Sequence, residues 1–188
     1  MVDTPSNMLP LGTPMPEFAL TDNVNGQLVD TRELATRGGF LILFICNHCP
    51  FVIHIRQQLV QVAHEALDSD LHVLAINSNS VVSHPQDGPE HMKSLAQSEH
   101  WRFPFLFDES QDVARAFKAA CTPDIFLFDR DRRLAYRGQF DDSRPANGKP
   151  VTGTDLRAAV RAVASALPVS GDQKPSIGCS IKWNQRHR

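Results

Sequence analysis

Cysteine, tyrosine and tryptophan are scarce in this chain of 188 residues, with four, one and two copies respectively. Four cysteines are too few for a secreted scaffold stapled by disulfides, which leaves catalytic, metal-binding or simply buried thiols. No sign of charge dominates: 19 Lys plus Arg stand against 21 Asp plus Glu, a formal net charge of -2. That balance gives no electrostatic reason to expect nucleic acid or an anionic membrane as a partner. No apolar run approaches the ~18 residues of a membrane helix. The opening MVDTPSNMLPLGTPMPEFAL lacks the basic start and unbroken apolar stretch of a secretory signal. The expected compartment is therefore the cytoplasm. What is present, 41% hydrophobic and 21% charged residues, is the composition of a globular protein with room for one sizeable core.

Neither an internal repeat nor a second-domain boundary is visible, so residues 1–167 read as one domain and 168–188 as a tail of uncertain structure. The proline-rich start to Pro16 reads as a surface segment, EFAL (17–20) as a short edge strand and NVNGQLVD (23–30) as a hairpin with an Asn-Gly turn. FLILFIC (40–46) is apolar at every position, which suits a strand buried on both faces. After Pro50, apolar residues recur at Val52, Ile55, Leu59, Val62 and Ala66, an amphipathic helix of about five turns. LHVLAIN (71–77) predicts a second buried strand, followed by the polar loop SNSVVSHPQDGPE and a short helix from Glu90 to Ser98. FPFLFDES (103–110) reads as a strand and turn, and 110–120 as a helix with Val113, Ala116 and Phe117 on one face. DIFLFD (124–129) and RLAYRG (133–138) predict an antiparallel hairpin. Thr154 is placed to cap a last helix carrying Leu156, Ala159, Val160, Val163 and Leu167 on one face. The order predicts an α/β fold: a mixed central sheet, parallel at first and closed by a hairpin, flanked by helices.

The stretch FICNHCPFV (44–52) puts Cys46 and Cys49 where the first buried strand hands over to the long helix. Unpaired backbone N–H groups and the positive dipole end at a helix start favour an anion. With His48 nearby, they are expected to lower the Cys46 thiol from ~8.5 toward neutrality. Pro50 suits an early helical position, where its missing N–H costs little. On this reading Cys46 attacks a substrate disulfide and Cys49 resolves the mixed disulfide. Taken alone, a Cys-x-x-Cys can also be half of a zinc site or two buried thiols.

The arrangement resembles the thioredoxin-like superfamily. A second stretch, CTPDIFLFD (121–129), matches the position of that superfamily's cis-proline before a strand. The resemblance implies a cis Thr122–Pro123 bond opposite the cysteines, with the Thr122 backbone facing an extended substrate. It covers about residues 14–167. Within the superfamily, GTPMPEFAL and the long stretch between Asn77 and Phe103 resemble the redoxin branch, which includes the alkyl hydroperoxide reductase/thiol-specific antioxidant proteins and the TlpA/ResA type. A group of bacterial thioredoxin-family proteins with Cys-Asn-His-Cys-Pro, Cys-Thr-Pro-Asp, DDSRP and a PSIGCSIKW-like tail is similar throughout. The usual thioredoxin motif has Trp before the first cysteine and Gly-Pro between the two, whereas this chain has Ile45, Asn47 and His48.

The resemblance implies a thiol–disulfide oxidoreductase with Cys46 and Cys49 as catalytic residues, His48 tuning them, and Thr122 and Pro123 facing the substrate. Cys121 and Cys179 are candidates for additional redox roles. No organic cofactor is expected, since the electrons move through the thiols, and the expected partners are dithiol or disulfide proteins or glutathione. One alternative is a peroxiredoxin-like peroxidase. Its Pro-x-x-x-Thr-x-x-Cys pattern is missing: Gly39 and Leu43 stand at those positions before Cys46, and Ile42 and Cys46 before Cys49. Another is a zinc-bound or protein-binding module using Cys46, Cys49, Cys121, Cys179 and His48. Structural zinc sites usually pair two such motifs, so no metal is expected. Among the remaining histidines, His64, His84, His91 and His100 show no ligand spacing and read as solvated side chains.

Overall fold

The computed structural model describes residues 3–35 and 38–185. Its centre follows from FLILF: a strand apolar at every position needs cover on both faces. Ahead of it lie β1 (Asp3–Pro5), β2 (Ala19–Thr21) and β3 (Leu28–Asp30); the strand itself is β4 (Gly39–Phe44). Then come α1 (Pro50–Asp68), β5 (Leu71–Asn77), a 3-10 turn at Pro85–Asp87, α2 (Pro89–Ser98), β6 (Phe105–Phe107) and α3 (Asp112–Ala116). The chain continues with β7 (Cys121–Thr122), β8 (Asp124–Phe128), β9 (Leu134–Arg137), α4 (Thr154–Ala164) and β10 (Ile177–Ser180).

Five strands form the central sheet in the order β6-β5-β4-β8-β9. β4 runs parallel to β5 and antiparallel to β8, so parallel and antiparallel halves meet at the middle strand. Successive β4 side chains point to opposite faces. Leu41 and Leu43 join Val73, Ala75, Ile125 and Leu127 under α1 and α4. Phe40, Ile42 and Phe44 join Leu74, Ile76, Phe126 and Phe128 on the α3 side, together with Phe18 and Phe117. β2 and β3 form the expected hairpin.

α1 buries Val52, Ile55, Leu59, Val62, Ala63 and Ala66. Several of these are β-branched, at a propensity cost below ~0.7 kcal/mol each. Full burial of each large aliphatic side chain returns roughly 1.5–3 kcal/mol, so packing decides that the segment is helical. Three details of the other helices differ from the sequence reading. In α3 the buried residues are Val113 and Ala114, with Ala116 exposed. α4 stops at Ala164 and leaves Leu167 62% exposed. Thr154 is the first helical residue and not the cap: Gly153 is the cap, with φ 66°. The turn that leads into α4 is held by buried Asp141 of the DDSRP stretch. One carboxylate oxygen accepts the N–H groups of Thr152 (2.6 Å) and Gly153 (2.7 Å), and the other that of Ser143 (2.8 Å). Asp141→Ala is expected to cost about 1–2 kcal/mol in urea unfolding, as for loss of a helix cap; an unchanged midpoint contradicts this role.

The segment after Pro168, which has no periodicity, is built into the domain. β10 lies between β1 and β7, antiparallel to both. Beyond it, Ser80 N–H donates to Lys182 O (2.8 Å) and Arg115 lies over the Trp183 ring (5.1 Å). The proline-rich start, expected on the surface, supplies β1 and buried Ser6 to this layer.

Candidate active site

The C-terminal ends of parallel β4 and β5 open on one edge of the sheet, and the Cys46–Cys49 segment leaves β4 there. Cys49 is the N-cap residue of α1, without a side-chain cap bond, and Pro50 takes the first helical position. Facing it, the Thr122–Pro123 bond is cis. Thr122 bridges both sulfurs: its hydroxyl is 3.4 Å from Cys46 Sγ, and its carbonyl oxygen accepts from Cys49 Sγ (3.0 Å). Asp124, the residue after Pro123, anchors this turn from below. It is buried, accepts from Ser6 Oγ (2.7 Å) and Ala120 N (3.0 Å), and pairs with buried Arg137 (3.2 Å).

A residue absent from the sequence reading organises the other side. Asp87, in the polar loop after β5, is fully buried. Its carboxylate accepts from Asn47 N (2.9 Å), His48 N (3.2 Å), His48 Nδ1 (2.6 Å) and Asn79 Nδ2 (2.9 Å). His48 Nδ1 also lies 3.8 Å from Cys46 Sγ. His84, expected as a solvated side chain, stacks on the His48 ring at 4.7 Å. The one sequence signal for this assembly is the run of Asn and Ser directly after a fully buried parallel strand, at the strand end where α/β sheets bind ligands.

Two expectations are corrected here. The first is that Cys46 is acidic and reachable. Cys46 is 1% and Cys49 0% exposed. The amides of Asn47 and His48, just ahead of α1, are occupied by Asp87, which brings its charge close to Cys46. The Cys46 thiol is pushed up by its hydrogen bond to Cys49, then by burial and by the Asp87 charge. Cys49 is instead brought down to about 5, first by its bond from Cys46 and against its burial, with Cys179, Thr122 and the Val52 amide also helping. The Thr122 hydroxyl favours an anion on either sulfur, whereas its carbonyl can only accept and so favours a proton on Cys49. The pair therefore gives up one proton readily and shares the second between its sulfurs.

The second concerns Thr122 and Pro123, expected to face an extended substrate. Both are buried, and the Thr122 backbone is paired with β10, with Cys179 directly opposite Thr122. The tail of the chain thus occupies the edge assigned to a substrate strand. Gly178 makes this close approach feasible, since a Cβ there would overlap the Thr122 carbonyl oxygen. Cys121 is close by but turned away: its Sγ donates to Pro123 O (3.5 Å), and burial followed by the Asp124 charge pushes its thiol up.

Ligating atoms of Cys46, His48 and Asp87 lie within 4.8 Å of one another. Two ligands on a tetrahedral ion with bonds of ~2.0–2.2 Å stand roughly 3.3 Å apart. The 2.6 Å between His48 Nδ1 and Asp87 Oδ2 is a hydrogen-bond distance, and the carboxylate is already occupied. The trio is arranged as an oriented imidazole beside a thiol. Replacing Asp87 by Asn removes the charge that opposes ionisation of Cys46. It is expected to speed alkylation of Cys46 at pH 7, about tenfold per unit of acidity gained. Carbamidomethylation followed by peptide mass spectrometry measures this; an unchanged or slower rate contradicts it.

A family model described as Redoxin matches residues 10–156. The chain is 48% identical to an uncharacterised conserved protein from Geobacillus kaustophilus, with TM-score 0.95 over 100% of this chain and 99% of that one. It is also 48% identical to a hypothetical protein from Sinorhizobium meliloti 1021, with TM-score 0.93 over 96% and 98% of the two chains. A thiol:disulfide interchange protein of the thioredoxin family from Chlorobium tepidum shares 16% identity and TM-score 0.62 over 84% and 99%, a likeness of fold. Comparison with curated proteins gives no match.

Proposed function

The chain belongs to the Redoxin family and has the α/β thioredoxin-like fold, and on that basis we propose that it is a thiol–disulfide oxidoreductase working through Cys46 and Cys49. The observation that carries this reading is the grip of Thr122 on both sulfurs, hydroxyl to Cys46 and carbonyl to Cys49, at the start of α1. The Cys46 sulfur bonds to one sulfur of a substrate disulfide while its proton passes along the thiol–thiol hydrogen bond to Cys49, and the other substrate sulfur leaves as a thiolate. Cys49, once deprotonated, attacks Cys46 and expels the second substrate thiolate. Two electrons pass from the dithiol to the substrate, and the pair ends as a disulfide.

Cys46 is the attacking atom because Cys49 is enclosed by Thr122 and β10, whereas Cys46, itself 1% exposed, borders His48, whose side chain is 21% exposed and turns aside to admit a substrate. A substrate approaches from that side, since β10 takes the Thr122 edge. The cleft beside Pro123, lined by Phe51, His54 and Phe140, holds about 20 Å³. Small-ligand pockets hold ~300–1,000 Å³, so this cleft is too small for a small-molecule ligand, which favours a disulfide carried on a protein surface. Dithiol proteins or glutathione return the electrons, and no organic cofactor takes part.

The test is a trap. Cys49→Ser is expected to stay covalently joined through Cys46 to a disulfide substrate such as insulin, in a band that reductant removes. If no Cys46-linked adduct forms with folded protein, this reading is wrong.

A further inference from the structure

Cys179 is not needed for that cycle, yet the fold brings it to the cycle's centre. β10 is antiparallel to β7 with Cys179 opposite Thr122, the residue whose carbonyl accepts the Cys49 thiol. Gly178, without a side chain, lets β10 close on that carbonyl. Cys49 is hydrogen-bonded to Cys46 on one side and to Cys179 on the other. The tail strand therefore presents a cysteine to the redox pair from the edge where an extended substrate was expected.

We propose that Cys179 is a third redox thiol that exchanges with the Cys46–Cys49 disulfide, giving Cys49–Cys179 and releasing Cys46. The inference rests on the oxidoreductase reading, which supplies the first disulfide. The Cys179 sulfur bonds to Cys49 Sγ, the Cys46–Cys49 bond breaks, and the Cys179 proton ends on Cys46. One disulfide replaces another, so the step consumes neither oxidant nor reductant. The product disulfide is shielded: Cys179 is 5% exposed and lies between β1 and β7. Oxidation is then stored beneath the surface while Cys46 regains its thiol, and a donor reaches the stored bond only by the reverse exchange through Cys46. The balance between the two disulfides sets how readily a partner reduces the protein.

Mild diamide oxidation of the full chain, alkylation in denaturant and peptide mass spectrometry distinguish the species. Cys46–Cys49 is a loop within one tryptic peptide, and Cys49–Cys179 joins two. Wild type is expected to contain both. Cys46→Ser is expected to convert most Cys49 to the Cys179 cross-link, which Cys121→Ser leaves intact and Cys179→Ser removes. Wild-type protein carrying only Cys46–Cys49, with Cys49 and Cys179 still alkylatable in oxidised, folded Cys46→Ser, overturns the exchange and leaves the oxidoreductase reading standing. Wild-type protein with neither disulfide overturns both. Circular dichroism of each variant shows that the fold is kept.

Discussion

Cys46→Ser is expected to reduce disulfide exchange to the uncatalysed background while leaving the circular dichroism spectrum intact. A serine oxygen can occupy the same position beside the Thr122 hydroxyl, so the packing around residue 46 is conserved. Its proton, however, is not removable at neutral pH, and only a thiolate attacks a disulfide. The wild-type rate carries a second signature of the same chemistry. Cys49 is brought down to about 5, chiefly by its hydrogen bond from Cys46. Below that pH both sulfurs keep their protons, and Cys49 cannot take the Cys46 proton during attack. Above it one proton is gone and the base is in place. Exchange with a small aromatic disulfide is therefore expected to rise with pH through about 5 and then level off. A rate that keeps climbing tenfold per pH unit to pH 8 would describe an ordinary thiol and remove the paired-sulfur account.

Gly178→Ala is expected to cost about 3 kcal/mol of stability, the upper part of the usual range for overpacking. The added Cβ would meet the Thr122 carbonyl oxygen and carbon and the Pro123 nitrogen. These are backbone atoms pinned by the Asp124 network, so they cannot rotate away as a side chain would. β10 must withdraw, which separates Cys179 from Cys49 and disturbs the carbonyl that accepts the Cys49 thiol. The same exchange at Gly171, where a Cβ meets nothing within 4 Å, is the control and is expected to stay within about 0.5 kcal/mol of wild type. Urea titration of both variants measures the difference; equal midpoints would mean that β10 is not held against the turn.

Both variants change residues within a short distance of Thr122, and they differ in how far the sequence announces them. The period of α1, the apolar run of β4 and the hairpin of β8 and β9 are local patterns. Each can be read because a helix or strand presents its own neighbours to one face. The same locality marks the cysteine pair at the strand-to-helix junction and Pro123 before a strand, and Asp141 was recognisable at most as a turn residue.

How the pair holds its protons is a different kind of fact. It depends on Asp87, 40 residues from Asn47 along the chain, whose charge opposes ionisation of Cys46. It depends also on a tail without periodicity, whose Gly178 and Cys179 meet Thr122 only once β10 has found its place between β1 and β7. Helix-end electrostatics suggests an acidic Cys46, and it takes no account of the Asp87 charge, which opposes ionisation there. By itself the sequence determined the scaffold and the presence of a dithiol, since both are written in short-range spacing. The tertiary structure decided the protonation of that dithiol, its access and its third sulfur neighbour, because burial and hydrogen-bond partners come from segments that meet only in the folded chain.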